Sequence, residues 1–366
     1  MTRIARVAGA GIAGLAVATA LGRRGWRVVV YERAPQLREI GAGITLGPDG
    51  IEVLERLGAL TETIADAAKV GYWYMQDEQG RNVQAQHVTR EMYCCHRRSL
   101  HRALVNTARA AGAEIHTRTP VAGVLGDALL VGDVPVAVPA DLIVGADGVG
   151  SRVRRSLATA GLGVRLVDLN VSGARYVIPR RATEWLTDQP EWLRDSRRVG
   201  VLPLGGDDIA VWLSCRRDDS ESRTDPLERE HWLATFPEAR DVIERAPDRP
   251  DWRDLVEIRC SRWSAGNAVL VGDSAFAMAS NLGQGALSAL RAALELSEEV
   301  ADSLDIPSAL TRWERRVRPL IDYNQSWSHR YNAIATRWPG RLYPLRSALY
   351  RRLDRIEELN HRFAGV

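Results

Sequence analysis

The chain has a single lysine, Lys69, among its 49 basic residues, and only 3 phenylalanines, although tryptophan is plentiful at 11. Cysteine is scarce too. Cys94, Cys95, Cys215 and Cys260 form no C-x-x-C, so a disulfide framework and a thiol–zinc site are both excluded, and a reduced cytoplasmic setting is expected. No apolar run reaches the ~20 residues of a membrane span. Residues 4–21 are apolar enough to imitate a secretory leader, but their glycines and the strand that follows argue for a folded element. Charge is neither blocked nor extreme. A net +3 spread along 366 residues gives nucleic acid no continuous basic surface to meet. The 7 histidines show no ligand spacing, so no metal is expected, and His96 and His101 read as structural. There is no internal repeat and no low-complexity tract.

What is present is concentrated in the first thirty-odd residues, IARVAGAGIAGLAVATALGRRGWRVVVYER. An apolar strand from Ile4 to Ala8 runs into Gly9, Gly11 and Gly14, which fit G-x-G-x-x-G, and Ile12 and Ala13 open a helix of small and aliphatic residues. Val28-Val29-Val30 reads as a buried parallel strand, closed by Glu32 about 20 residues beyond the glycines. In such a unit Gly9 makes a tight turn, Gly11 admits a pyrophosphate to the backbone, and Gly14 lets helix and strand pack closely. Unpaired amides and aligned peptide dipoles at the helix start favour the diphosphate. Glu32 is placed to accept hydrogen bonds from ribose hydroxyls, which favours FAD or NAD over NADP. Arg33 follows it, and the motif alone does not choose between FAD and NAD.

The rest of the chain repeats the theme and interrupts it once. Gly41-Ala42-Gly43 is a second glycine loop ahead of a helix from Pro48, suited either to an ordinary turn or to backbone contact with a flat ring. Residues 70–93 are aromatic and β-branched, a hairpin that starts a separate sheet. A helix follows from about Ser99, then a strand at Ile115, a short hairpin in ALLVGDVPVAV, and a buried strand Leu142 to Val144 ending at Asp147-Gly148. Asp147 sits at a strand C-terminus, where open α/β sheets bind ligands. The stretch 165–263 reads as mainly β, with strands in VSGARYVIP, RVGVLPLGG, DIAVWLSCRR and DLVEIRCSRW and one helix over 226–245. A third strand–glycine–helix element follows in NAVLVGDSAFAMASNLGQGALSALRAALELSEEV, and residues 308–332 and 341–363 are amphipathic and helical.

Taken together, GAGIAGL with Glu32, GAGITLGP, Arg97 in CHRRSL, GADGVGSRVR and LVGDSAFAMASNLGQG resemble, in order and over nearly the whole chain, the class A FAD-dependent monooxygenases of the p-hydroxybenzoate-hydroxylase type. The resemblance implies an α/β fold: a Rossmann-like FAD-binding domain from residues 1–70, 94–164 and 264–305, an inserted mainly-β substrate domain from 71–93 and 165–263, and C-terminal helices over 306–366. It implies FAD held by Gly9, Gly11, Ile12, Ala13, Gly14, Glu32, Arg33, Gly43, Arg97, Asp147, Asp273, Gly283, Gly285 and Ala286. NADPH or NADH then serves as a transient co-substrate, which agrees with the lack of a second G-x-G-x-x-G.

The implied reaction uses NAD(P)H and O₂ to hydroxylate a small aromatic or heteroaromatic ring through a C4a-hydroperoxyflavin. The flavin does this chemistry while the protein orients the substrate and excludes water. This chain departs from the family where chemistry is expected. Phe276 stands at a histidine, Ser280 at a proline, Leu287 at an asparagine, and Arg291-Ala292 at an acidic pair. Phe276, Ser280 and Gly283 are therefore the flavin-proximal candidates. The departures also motivate an alternative, an FAD protein that does not hydroxylate, such as an oxidase, a cyclase or a scaffold. Tyr72, Tyr176 and Trp212 are candidates for the substrate pocket, together with Trp73. Strand alternation sends about half of such residues to the opposite face. Arg175 reads first as an exposed surface arginine, with pairing to an acidic substrate as the alternative.

Overall fold

A computed structural model describes residues 2–37, 41–132, 134–136 and 138–356. Two large sheets organise it. The first has six strands in the order Ser264–Ala265, Ala268–Leu270, Leu142–Gly145, Ile4–Ala8, Arg27–Tyr31 and Glu114–His116, parallel throughout except at the Ser264–Ala265 edge. Four of its strands are the apolar runs picked out above, and their middle residues are buried on both faces, as a sheet covered by helices requires. Helix Ile12–Gly22 packs between helices Arg97–Ala110 and Gln284–Val300. It is buried from Ile12 to Leu21, which explains why it shows no polar face.

The second sheet has seven strands in the order Arg253–Cys260, Val164–Pro179, Asp208–Arg216, Arg197–Gly205, Asp188–Arg194, Tyr72–Gln76 and Asn82–His87. All neighbours are antiparallel except Asp188–Arg194 with Tyr72–Gln76. One face carries a core of Tyr176, Ile178, Trp192, Val199, Val201 and Val211 against Trp232 and Phe236. The strand Asp188–Arg194 went unread in the sequence because Pro190 and its charges look like a loop. Pro190 is tolerated because the ladder to Arg197–Gly205 begins only at Glu191. The helix expected over 226–245 is two short ones, Arg229–Thr235 and Arg240–Glu244, with Pro237 starting a 3-10 turn between them. Proline cannot donate the interior hydrogen bond of a continuous helix.

A small sheet of Gly43–Leu46, Tyr93–His96 and Ala68–Lys69 lies between the two. The long helix Ile306–Thr336 and the helix Tyr343–Leu353 cover the Tyr72–His87 hairpin through Tyr331, Ala335, Tyr350 and Leu353 packed on Met75 and Val83. The helix expected over 341–363 is Tyr343–Leu353, and residues 357–363 of that expectation lie outside the described residues. No helix among the described residues is long and apolar enough to cross a membrane.

All four cysteines are free and buried. Burial pushes the Cys94, Cys95 and Cys215 thiols up to about 12 and the Cys260 thiol up to about 11. Thiolates are the reactive form. The native protein should therefore leave a thiol-reactive disulfide dye unreduced at neutral pH and titrate four thiols once denatured; a fast-reacting thiol in the native state would contradict this packing.

Candidate functional site

Three strands of the first sheet end side by side and each runs into a glycine turn. Gly9 has φ of 99°, and a Cβ there would lie 2.4 Å from the Ala146 carbonyl oxygen, so the first and second turns touch through bare backbone. A Cβ on Gly14 would stand 2.0 Å from the Gly9 oxygen, which fixes how closely the helix approaches its own strand. Gly272, with φ of 72°, makes the third turn and packs on Ala13. Between these turns and the seven-stranded sheet lies a cleft of about 810 Å³.

Gly11, Ile12, Ala13, Gly43, Arg97, Asp273, Gly283, Gly285 and Ala286 all line the cleft. Gly11 is informative because neither its backbone nor its packing demands glycine. Its φ is −78° and a Cβ would meet nothing within 4 Å. Gly285 has only Met278 at 3.9 Å. The space beside both is open to the cleft, as a bound group laid against backbone requires. Helices Ile12–Gly22 and Gln284–Val300 both start at it, with no side-chain cap and no acidic residue in the first turn. Their amides and dipoles are thus available to negative charge. Asp273 is exposed at the cleft wall. This lining fits FAD: Gly11 to Ala13 would take a diphosphate, Asp273 would take hydroxyls, and Gly43, Arg97 and Gly283 to Ala286 would take a ring system.

Other expected residues sit elsewhere. Glu32 accepts the Ala10 and Ala34 amides at 2.8 Å each, tying the end of its strand to the glycine loop. Arg33 is exposed and does not line the cleft. Asp147 caps the next helix, accepting from Ser151 Oγ at 2.5 Å and from the Arg152 amide at 2.6 Å, while its neighbours Ala146, Gly148 and Val149 face the cleft. Arg97 lines the cleft, whereas Arg98 points outward to Asp208 at 3.6 Å.

Phe276 does not border the cleft as expected: it is 2% exposed and its ring packs 4.9 Å from Trp263, whose buried indole gives this large apolar side chain a place in the core. Ser280 and Gly283 do line the cleft, as does Leu287. Arg291 pairs with Glu295 on the surface and Ala292 is buried under Trp313, so neither reaches the cleft.

Alternation divides the aromatic candidates. Trp73 and Trp212 face the cleft. Tyr72 is corrected: it packs on Tyr74 and His87 on the opposite face. Tyr176 is corrected likewise: it is buried and donates its hydroxyl to the Val242 carbonyl at 3.0 Å. Burial holds its phenol well above the ordinary tyrosine range. The register places Arg175, Trp212, Gly200, Glu191, Met75 and Gln84 in one row across five neighbouring strand pairs. A Cβ on Gly200 would overlap the Trp212 indole, so the ring lies across the position of a missing side chain. Glu191 and Arg198, both buried, form an ion pair in this wall, and Gln84 donates to the Tyr331 hydroxyl.

The sequence marked His101 only as structural and did not disclose the other residues that hold these loops. Arg154 is 6% exposed and donates to the Ser274 carbonyl at 2.9 Å and the Val149 carbonyl at 2.5 Å, joining the second turn to the third. Burial draws its pKa below the usual arginine value. His101 bonds the Ala10 carbonyl at 2.8 Å. Gln325 reaches from the long helix to the Ile258 and Ala277 carbonyls at 2.8 and 2.9 Å. Each acts on a carbonyl distant in sequence. The one available signal was an arginine on the apolar side of a helix, three residues after a capping serine.

Residues 1–319 match the model of the FAD-binding domain family. A 2-heptyl-3-hydroxy-4(1H)-quinolone synthase of Mycobacteroides abscessus is 31% identical over 342 residues, 91% of this chain and 90% of its own. A Rhodococcus erythropolis protein named for the same activity is 34% identical over 345 residues, 92% of this chain and 89% of its own. The tetrameric form of 2-methyl-3-hydroxypyridine-5-carboxylic acid oxygenase superposes with a TM-score of 0.85 at 29% identity, covering 96% of each chain. The chain belongs to the FAD-binding domain family and is an FAD-dependent monooxygenase of its aromatic-hydroxylase class.

Gly11→Leu should cost the flavin-free protein no more than ~1–2 kcal/mol, the scale of a helix N-cap change, yet abolish FAD uptake, measured as flavin released on denaturation; a variant that retains full flavin would move the diphosphate elsewhere. Arg97→Ala should raise the FAD dissociation constant tenfold or more, on the basis of ~1.5–3 kcal/mol for a charge-assisted hydrogen bond. Arg98→Ala should leave it unchanged, and equal constants would reject the role given to Arg97.

Proposed function

We propose that the enzyme uses NADPH or NADH and O₂ to place one oxygen atom on a flat heteroaromatic ring of the 4-quinolone or hydroxypyridine kind. The observation that carries this reading is the cleft wall itself. The Trp212 indole, spread over Gly200, offers a planar apolar surface in the same cleft that the backbone of Gly283 to Ala286 lines. Trp73, Met75, Met92 and Leu202 add further apolar lining to the cleft, which suits an apolar substituent. The names of the relatives support it, since two carry an alkylated quinolone and one a hydroxypyridine.

Bound FAD supplies two-electron chemistry and oxygen activation. The chain's residues would do the rest. Gly11, Ile12 and Ala13 would seat the diphosphate on a helix start. Asp273 would accept hydrogen bonds from the ribityl chain, and Glu32 from the adenosine ribose through lone pairs left beyond its two amide bonds. Arg97 would add positive charge beside the cofactor, and the Gly283 to Ala286 amides would favour negative charge on its reduced ring. The buried Glu191–Arg198 pair neutralises itself, so that wall stays rigid without adding net charge. The thiols suit a cytoplasmic setting, and 71–93 with 165–263 form the substrate domain in this reading.

Ser280 takes the place of a side chain with fixed φ, in a loop held by Gln325, so reduction by nicotinamide should survive while control of oxygen is the sensitive step. With quinolones and hydroxypyridines as candidates, product formed and peroxide released should together account for the NAD(P)H consumed, with peroxide predominating when the ring fits badly. Incorporation of one ¹⁸O atom from labelled O₂ into product would establish the reaction. No reduction by either nicotinamide with any candidate would favour the non-hydroxylating alternative.

A further inference from the structure

Four arginines line the cleft, and three of them have described engagements or a place at the cofactor. Arg198 is paired with Glu191, Arg253 with Asp251 at 2.6 Å, and Arg97 stands at the ring-binding end beside Gly41 and Gly43. Arg175 differs. It is exposed to the cleft and makes no hydrogen bond and no ion pair with any described residue. Its position is fixed by a continuous ladder in which it pairs with Trp212 on the neighbouring strand. Directly paired residues on one sheet face have Cβ atoms about 4.5–5.5 Å apart, so the guanidinium projects from the edge of the indole surface. The surrounding protein and then the Arg97 charge draw its pKa below the ordinary arginine value.

None of the cleft's carboxylates, Glu191, Asp254 and Asp273, is paired with Arg175: Glu191 is taken up by Arg198, and Asp254 accepts the Ser172 hydroxyl and faces Arg223 at 3.6 Å. A guanidinium held unpaired beside a flat apolar wall, with a second guanidinium nearby, is an arrangement that disfavours itself until an anion arrives. Its planar fork matches two oxygens of a carboxylate, or one oxygen on a ring.

We propose that Arg175 is the specificity-determining residue for an anionic oxygen carried by the aromatic substrate, so that the ring lies on Trp212 with its carboxylate or ring oxide at Arg175. This rests on the reading that the cleft is the aromatic substrate site, and it narrows the substrate class to rings bearing an acidic oxygen. The apolar residues of the wall and the neutralised Glu191–Arg198 pair accept neutral rings equally.

The test is a binding measurement on oxidised, FAD-loaded protein without nicotinamide, so it stays separate from turnover. Two twin pairs of probes share a ring and differ in charge: quinoline-4-carboxylate with quinoline-4-carboxamide, and 4-nitrophenolate with 4-nitroanisole. Calorimetry and perturbation of the flavin spectrum would give dissociation constants for wild type, Arg175→Gln and Arg175→Lys. Wild type should prefer at least one anion over its neutral twin, and R175Q should weaken that anion by about tenfold or more with the twin within about twofold. R175K should recover part of the preference, because it keeps the charge but not the planar fork. Loss confined to the carboxylate pair identifies a carboxylate substrate, and loss confined to the phenolate pair identifies a ring oxide. In wild type, rising salt should weaken the anion and spare the neutral twin, a measurement that needs no variant. Failure of both anions to bind better than their neutral twins overturns the proposal. So does a preference that persists in R175Q, which would transfer the role to Arg97. Anion binding that behaves as described in a protein that forms no oxygenated product would leave Arg175 assigned and overturn only the reading of the reaction.

Discussion

Backbone has to meet backbone at the top of the first sheet, and the rest of the molecule is arranged to permit it. Gly9 and Ala146 touch with no room for a side chain, Gly14 presses on Gly9, and Gly272 lies on Ala13. These contacts bring three strand ends together and turn the starts of two long helices toward one cleft. A polar surface made of amides keeps its geometry because it is part of the fold. It also requires that nothing at Gly11 or Gly285 fill the space beside it.

Holding three loops so close calls for bonds that the loops cannot make by themselves. Arg154 supplies two across the second and third turns, His101 one to the first, and Glu32 two more at its base. The long C-terminal helix extends the same logic. Gln325 grips the Ala277 carbonyl, and Asn324 donates to Ser288 at 3.2 Å on the helix that follows the loop. A segment remote in sequence therefore sets the shape of the cleft's lining. Such buried polar contacts stabilise mainly by being satisfied, since leaving one partner alone costs more than the bond contributes.

The second sheet works by the opposite principle, with side chains instead of backbone. Its ladders put alternate residues on the cleft, and a shift of one residue would exchange Trp212 for Val211 and Arg175 for Tyr176. The face away from the cleft is a core of large apolar rings, so that exchange would bury an arginine and expose the packing of Trp232 and Phe236. Register is thereby fixed by the core behind the sheet, and the cleft inherits its chemistry from that constraint.

The residues alone disclosed the glycine turns, the buried parallel strands and the order of the loops, because each depends on local properties: φ freedom, apolarity on both faces, and a helix start within a few residues. Gly283 was legible in the same way, as a helix start, whereas Arg97 and Asp273 were legible only through the family resemblance. Which face a strand residue takes is also periodic, but the phase was not. Tyr72 and Tyr176 went to the far side, while Trp73, Trp212 and Arg175 stayed, and only the packing of the sheet against its helices set that phase. Phe276 was misplaced for a related reason, since a one-turn helix has no periodic pattern to read and Trp263, distant in sequence, decided which way the ring would turn. Arg154 and Gln325 were invisible, and His101 legible only as structural, because their partners are carbonyl oxygens, which every residue carries and no sequence marks. Only the fold brings a particular carbonyl within reach of a particular side chain.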